Sequence, residues 1–363
     1  MKRVQEVKRF GVRLKYLSAA VVLGSVVGCV QASSTMSVAV DSTLIHAVHG
    51  NIEQRLNGRN AADAIIAGDS FESQGIWGRY IYSDGSQKQD DDKNAIAFRL
   101  NGFTLGLEGI VNEQLTVGFA FTYGKTDIDV KDGSAILRSQ NGDNYLGTLY
   151  FGWTEGSWFV DTMLSYGEEE NKYIYNQPLG NNPVNGAPLQ YRNLKSDGKM
   201  KTWGMTIGGG YTIAISGKWA LKPKSEFNFV SMRYDDRNMK TDAALAANDI
   251  RHKTKDIQIA EAGAGVSLLG NIGLGKVVFT SEFRVMGYYD LKDNKVEGEV
   301  IYIPSMTSLF GVVAGQKRDR GRAVMGLGLS CAVGGLSFGL DYDYSLSGDY
   351  KVHSVAAKAS CVF

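Results

Sequence analysis

Residues 336–347 read LSFGLDYDYSLS. Leu336, Phe338, Leu340, Tyr342, Tyr344 and Leu346 share one parity, and Ser337, Gly339, Asp341, Asp343 and Ser345 share the other. Side chains in an extended chain point alternately to opposite sides, so this stretch predicts a strand with one apolar and one polar face. The same alternation runs back through the chain. Leu115, Val117, Phe119, Phe121 and Tyr123 interleave with Thr116, Gly118, Ala120 and Thr122. Trp158, Val160, Leu164 and Tyr166 oppose Asp161, Met163 and Ser165, and Trp203, Met205, Ile207, Tyr211, Ile213 and Ile215 oppose small or hydroxylated residues.

The pattern predicts about twelve strands, starting near Ile76, Phe98, Leu115, Asn144, Trp158, Thr202, Trp219, Ile257, Lys276, Arg322, Leu336 and Lys351. Short turns at residues 111–115, 155–156, 216–218, 270–275 and 334–335 alternate with longer polar links at 83–94, 126–143, 168–199, 234–255 and 290–321. Tight turns at one end and long loops at the other describe an outer-membrane barrel, whose even strand count returns both ends to the periplasmic side. A soluble sandwich or lipocalin-like barrel shares the period but turns the apolar parity inward. Three features favour the membrane. The strands meet the roughly 9–11 residues needed to cross the apolar layer. The terminal residue, Phe363, shares the parity of Ala357, Ala359 and Cys361. Aromatic residues gather near strand ends, as interfacial girdles do: Trp77, Tyr80 and Tyr82; Tyr150 and Trp153; Tyr288 and Tyr289; Tyr342 and Tyr344.

The polar parity carries Arg79, Glu108, Asp161, Lys222, Lys224, Glu226, Glu261, Glu282, Arg284, Asp341, Asp343 and Lys358. A Lys or Arg facing lipid at the midplane costs about 2–4 kcal/mol, so these residues belong to the lumen. Their mixed signs predict a hydrated, salt-bridged interior.

The first 32 residues predict a secretory signal. Lys2, Arg3, Lys8, Arg9, Arg13 and Lys15 form a basic start, residues 17–27 are apolar, and Val30-Gln31-Ala32 offers a cleavage site after Ala32. The alternative is lipidation at Cys29, after Val26-Val27-Gly28. Cleavage leaves 33 basic and 37 acidic residues, a net charge of about −4, which argues against a nucleic-acid partner. Cys331 and Cys361 lie on the apolar parity, and the expectation is two buried, unpaired small residues, with a disulfide as the alternative.

Between the signal and the first strand, Asp41 or Ser42 can cap a helix, and Leu44, Val48, Ile52 and Leu56 recur every fourth residue up to Gly58. Residues 61–67 can continue it. The segment is either a short surface helix or one threaded through the lumen. Twelve strands enclose more space than their side chains fill, and a helix about 10–12 Å wide suits that pore. We therefore expect residues 42–56 in the lumen, entered from the periplasmic end, with His49, Glu53, Gln54 and Arg55 facing lumen charges such as Asp341 and Arg284. His46 and His49, with Glu53 beyond, have a spacing that serves a metal or, more commonly, a solvated helix face. Glu168-Glu169-Glu170 and Asp90-Asp91-Asp92 read as solvating loop runs. His252 and His353 have no evident partner. No catalytic, cofactor-binding or metal-ligating residue is assigned, and no cofactor.

Several stretches are similar in order and spacing to the translocator domain of monomeric autotransporters. GIWGRYIYSDG (75–85) resembles its first strand, FTLGLEGIVNEQLTVGFAFTYGKTDIDV (103–130) its second and third, GSWFVDTMLSYG (156–167) its fifth, and residues 316–363 its closing strands and terminal aromatic. The resemblance covers residues 75–363. It implies an all-β, twelve-stranded antiparallel barrel with a helix through the pore and export of an N-terminal passenger. It also implies contact with outer-membrane lipid, periplasmic chaperones and barrel-assembly machinery that reads the last strand. The expected organisation is a signal peptide at 1–32, a linker with the pore-threading helix at 33–74, and the barrel at 75–363, as a monomer. Residues 33–74 are too few for a passenger of stacked repeats, so the passenger is expected to be absent or truncated. Asn57 and Asn60 lie near where some members cut their chain, but no cleavage set matches residue by residue. The alternative function is a stand-alone surface protein, adhesin or pore acting through its long outer loops.

Overall fold

The computed structural model describes residues 42–56, 75–88, 95–131, 137–178, 191–241, 250–254, 256–292, 295–302, 311–317 and 319–362. The expected signal, Cys29, Asn57, Asn60, residues 61–67, the 90–92 acidic run and Phe363 lie outside these. Among the described residues no helix is long and apolar enough to cross a membrane, which does not bear on a barrel.

Twelve long antiparallel strands make the wall: β1 (Gly75–Gln87), β2 (Ile96–Ile110), β3 (Leu115–Val130), β4 (Leu137–Glu155), β5 (Trp158–Pro178), β6 (Tyr191–Tyr211), β8 (Trp219–Tyr234), β11 (Ile257–Leu274), β12 (Val277–Asp290), β15 (Gly321–Val333), β16 (Leu336–Ser347) and β17 (Tyr350–Val362). Each pairs with the next, and β17 returns to β1 over its whole length, from Gly75↔Val362 to Gln87↔Tyr350. Closure removes the sheet edges and satisfies the backbone, the condition for a sheet in lipid. β7 (Ile213–Ser216) prolongs β6 against β8 after a break at Thr212.

Exposure settles which parity faces out. Leu105, Leu107, Phe119, Phe121, Trp158, Trp203 and Leu340 are between 47% and 62% exposed, while Thr104, Thr122, Asp161, Ser165 and Lys222 are at most 2% exposed. A soluble barrel would show the reverse. The wall is apolar outward and polar inward, as a lipid-embedded barrel requires.

The tight turns follow from local chemistry. Gly156 and Gly334 hold φ of 60° and 57° in the two-residue connections β4–β5 and β15–β16, a left-handed geometry that a side chain disfavours. At the other end, much of what the composition marks as long polar links is strand. β3, β4, β5 and β6 run on past the apolar layer, and β9 (Arg237–Thr241), β10 (Ile250–Thr254), β13 (Lys295–Tyr302) and β14 (Gly311–Lys317) build a further ladder, β6–β9–β10–β13–β14. Beyond the membrane neither face needs to be apolar, so these strands carry no clear alternation.

Two further expectations need correction. Trp77 and Tyr150 do not join the outer girdle: they are 4% and 0% exposed inside the lumen, with Trp77 Nε1 donating to Tyr150 Oη at 2.8 Å. Tyr288 is also internal, with the Arg322 guanidinium 3.9 Å from its ring centroid. Tyr80, Tyr82, Tyr289 and Tyr342 do face outward. Cys361 is exposed on the outer wall and Cys331 half-buried; both are free. β16 lies between them, since Cys331 pairs with Phe338 and Cys361 with Leu336, so a disulfide would have to bridge an intervening strand.

The barrel lumen and its helix as the candidate functional site

Among the described residues one helix, α1 (residues 42–56), occupies the lumen. At 1.5 Å per residue it is about 22 Å long, comparable to the apolar layer. Its start lies at the end of the barrel holding the β16–β17 turn, where Thr43 Oγ1 and Tyr350 Oη are 2.9 Å apart. Its finish lies at the short-turn end, where Arg55 Nε and Nη2 donate to Glu108 at 2.7 and 2.6 Å. From there the chain has to reach Gly75, the first residue of the wall. The expected entry from the periplasmic end is therefore the observed geometry.

The helix is amphipathic and both faces are matched. Leu44, Ile45, Val48, Ile52 and Leu56 are at most 4% exposed and join a cluster with Leu100, Ala120, Leu146 and Met163 of the inner wall. Glycines there admit the helix. A Cβ on Gly152 would stand 2.9 Å from Leu56 Cδ2, and one on Gly204 3.2 Å from Ile45 Cγ2. The sequence placed Met163 on the inward parity but did not mark these residues as a bed for the helix. Their signal was present: Leu100, Leu146 and Met163 interrupt an otherwise polar parity.

The polar face is tied around the wall. Glu53 pairs with Lys224 of β8, which also contacts Glu226 at 3.2 Å. Gln54 accepts from Arg79 of β1 at 3.1 Å. His46 Nε2 is 3.0 Å from Glu261 of β11, and Glu261 is 2.7 Å from Arg322 of β15. His49 holds Ser165 of β5 and Thr206 of β6, both at 2.7 Å. With one ring nitrogen donating and the other accepting, neutral His49 satisfies both contacts.

All twelve expected lumen charges lie on the inward parity, but the helix reaches different ones from those expected. Arg284 pairs with Asp343 and Glu282 of the wall, and Asp341 with Arg79 and Lys358. Asp341 meets the helix only through Arg79. His46 and His49 turn to different partners rather than to a common point, and among the described residues no three His, Cys, Asp or Glu side chains form a ligand group. Glu168 and Glu170 share Lys199 at 2.8 and 2.6 Å, an exposed pairing beyond the apolar layer. His353 is not solitary: its Nδ1 is 2.8 Å from Tyr342 Oη on the outer wall. The side chain of His252 is outside the described set.

Comparison with known proteins places this arrangement. The structure is similar to the translocator domain of NalP from Neisseria meningitidis, with a TM-score of 0.63 at 16% identity over 89% of this chain and 98% of that one. It is also similar to the β-domain of the Bordetella autotransporter BrkA (TM-score 0.54, 15% identity, 80% and 100% covered) and to the transport unit of AIDA-I from Escherichia coli (0.51, 13%, 86% and 98%). In sequence it is 21% identical over 329 residues to outer membrane protein A of Rickettsia conorii; that match covers 87% of this chain but 16% of the relative's length. For the Rickettsia rickettsii protein of the same name the figures are 20%, 80% and 12%. The chain thus spans about one sixth or less of these relatives. The family model for the autotransporter β-domain matches residues 76–343, most of the wall, and the chain belongs to that family, as an outer-membrane translocator barrel.

Proposed function

We propose that this barrel inserts in the outer membrane and holds its own N-terminal segment in transit through the lumen, so that chain ahead of residue 42 emerges at the surface. The observation that carries the reading is the direction of α1: its start lies at the outer end, by Tyr350, and its finish at the end where β1 begins. In this reading residues 1–32 direct export, residues 33–74 are the linker and the barrel acts as a monomer. Its role is transport, with no catalytic step of its own. Barrel-assembly machinery and periplasmic chaperones are its partners during insertion, and Phe363, at the end of the outward parity of β17, is the residue we expect them to need. Deleting Phe363 should lower the amount of folded barrel in the outer membrane.

The test is an epitope tag placed between residues 33 and 41. On intact cells the tag should be stained and cut by added protease. A tag reached only after the outer membrane is opened would contradict the reading. A second reading, a surface protein acting through its outer loops, draws support from the β9–β10–β13–β14 ladder beyond the membrane. It predicts that shortening that ladder abolishes cell attachment while tag display persists.

A further inference from the structure

The outer wall carries two cations that the lumen network does not use. Lys292 follows the outer end of β12, and Arg320 precedes β15. The Arg320 carbonyl accepts from Asp290 N at 2.8 Å, so both cations flank one residue pair of the ladder. Each lies over a ring on the outward parity: Lys292 Nζ is 5.6 Å from the centroid of Phe229, and the Arg320 guanidinium 4.5 Å from that of Tyr289. The neighbouring acids are turned away or taken. Asp290 is 3% exposed, and its carboxylate accepts from Ala260 N and Lys292 N at 3.4 and 3.0 Å. Asp319 lies beside Gly348, in the lumen mouth with Ser42 and Tyr350. Asp256 pairs with Arg233 at 3.2 Å. Among the described residues neither Lys292 nor Arg320 has a carboxylate partner. Lys292 Nζ donates to Gln258 Oε1, and Arg320 Nε to the Asp290 carbonyl at 2.9 Å, which leaves the terminal guanidinium nitrogens for a ligand. Long cationic side chains at a membrane boundary lay their stems on apolar surface and keep their charge in the headgroup layer.

A groove of about 390 Å³ opens in the same wall, nearer the midplane. Phe283 of β12, Met325 and Leu327 of β15, Tyr342 and Tyr344 of β16 and His353 of β17 line it. His353 Nδ1 and Tyr342 Oη satisfy each other at 2.8 Å, so the groove offers mainly apolar contact. Strand register joins it to the cations. Tyr289 faces Gly321, Gly287 faces Ala323, Val285 faces Met325 and Phe283 faces Leu327. The outward positions just below the Tyr289 ring are thus glycine and alanine. The groove begins at Met325, about 17 Å along the strand from Arg320. An acyl chain covers that span and a small anion does not.

We propose that this face of the barrel is a binding site for one anionic, phosphate-bearing lipid. Its phosphate sits on the free edge of the Arg320 guanidinium with Lys292 beside it, and an acyl chain runs past Gly321 and Ala323 into the groove. The guanidinium fork suits a phosphate, and the ring beneath it holds its plane. A zwitterionic lipid fills the groove but brings no net charge to the two cations. The site lies on the outward wall and asks nothing of α1, so it and the threading reading stand or fall separately.

The experiment is native mass spectrometry of the full chain, extracted from outer membranes in mild detergent. Phosphatidylglycerol and phosphatidylcholine with the same acyl chains are offered in equal amounts. The expected result is one retained phosphatidylglycerol, favoured about tenfold or more over phosphatidylcholine. Arg320→Gln should lower that retention about tenfold or more. Glycerol phosphate, the headgroup without chains, should not displace the lipid at equal concentration. Should Arg320→Gln fail to fold, the Met325 methyl resonance of the unaltered protein, assigned with Met325→Leu, serves instead. It should shift saturably with phosphatidylglycerol at about tenfold lower concentration than with phosphatidylcholine. Equal retention of the two lipids, undiminished retention in Arg320→Gln, displacement by glycerol phosphate, or a Met325 methyl that responds equally to both lipids would each overturn the proposal.

Discussion

Lys224 is the residue on which the lumen network turns. It stands between Glu53 of the helix and Glu226 of its own strand, and its side chain is 5% exposed. Removing one partner of a buried ion pair leaves the other charge uncompensated, at a cost of about 3–5 kcal/mol. Lys224→Met should therefore lower the denaturant midpoint of the folded barrel in detergent, and adding Glu53→Gln should recover part of the loss. An unchanged midpoint in the single variant would mean that the pair does not hold the helix. At this scale the sequence reveals parity and little more. Alternation was enough to send Arg79, Lys224, Arg284 and Asp341 inward, because a lipid-facing charge is costly. It could not say that Arg284 would meet Asp343 rather than the helix, since that depends on register across strands far apart in the chain. Trp77 illustrates a signal that was present and overridden. It lies three residues from Tyr80, on the opposite parity, so the two cannot share a face; nearness to a strand end suggested the girdle, and parity decided against it.

At the scale of elements, the helix and the wall strands are mutually fitted. Leu44, Val48, Ile52 and Leu56 were legible as a stripe because helical period survives in any environment. Their bed was not, because it is assembled from glycines and single apolar residues scattered over many strands, Ile81, Leu100, Leu146, Met163, Met232 and Ala356 among them. That bed predicts that Gly204→Val, which sets branched carbon where a Cβ would already be 3.2 Å from Ile45, expels the helix while leaving the wall closed. Limited proteolysis should then cut within residues 42–56, where the unaltered protein resists. Equal resistance in the two would show that the glycine bed is dispensable. A second change acts in the opposite sense. Gly50→Ala adds a methyl to open space and removes the helix penalty of glycine, so it should stabilise the helix by about 1 kcal/mol, seen as slower cleavage in the same assay. The wall strands themselves were found close to their true starts wherever they cross lipid. β4 and β6 begin at Leu137 and Tyr191, earlier than Asn144 and Thr202, because inward residues there such as Gln140 and Ser196 are buried yet polar, so hydropathy stops alternating although the side chains still do.

At the scale of the whole molecule, the closed ladder from β1 to β17 leaves no edge at which unfolding can start. The barrel should accordingly be heat-modifiable, migrating faster on a gel when unheated than when boiled. A chain soluble without detergent and lacking that shift would contradict the membrane assignment. The fold class was readable because period two, tight turns and a polar inward parity recur along the whole wall, and each repeat is local. What the lumen contains was less so, because a helix of 15 residues among the seventeen strands of the described residues declares its place only through contacts. The most direct measurement is therefore single-channel conductance in a planar bilayer, comparing the chain 33–363 with one starting at Gly75. With the helix removed the lumen loses its occupant, and the conductance should be several-fold larger. Equal conductance in the two chains would mean that α1 does not occupy the pore.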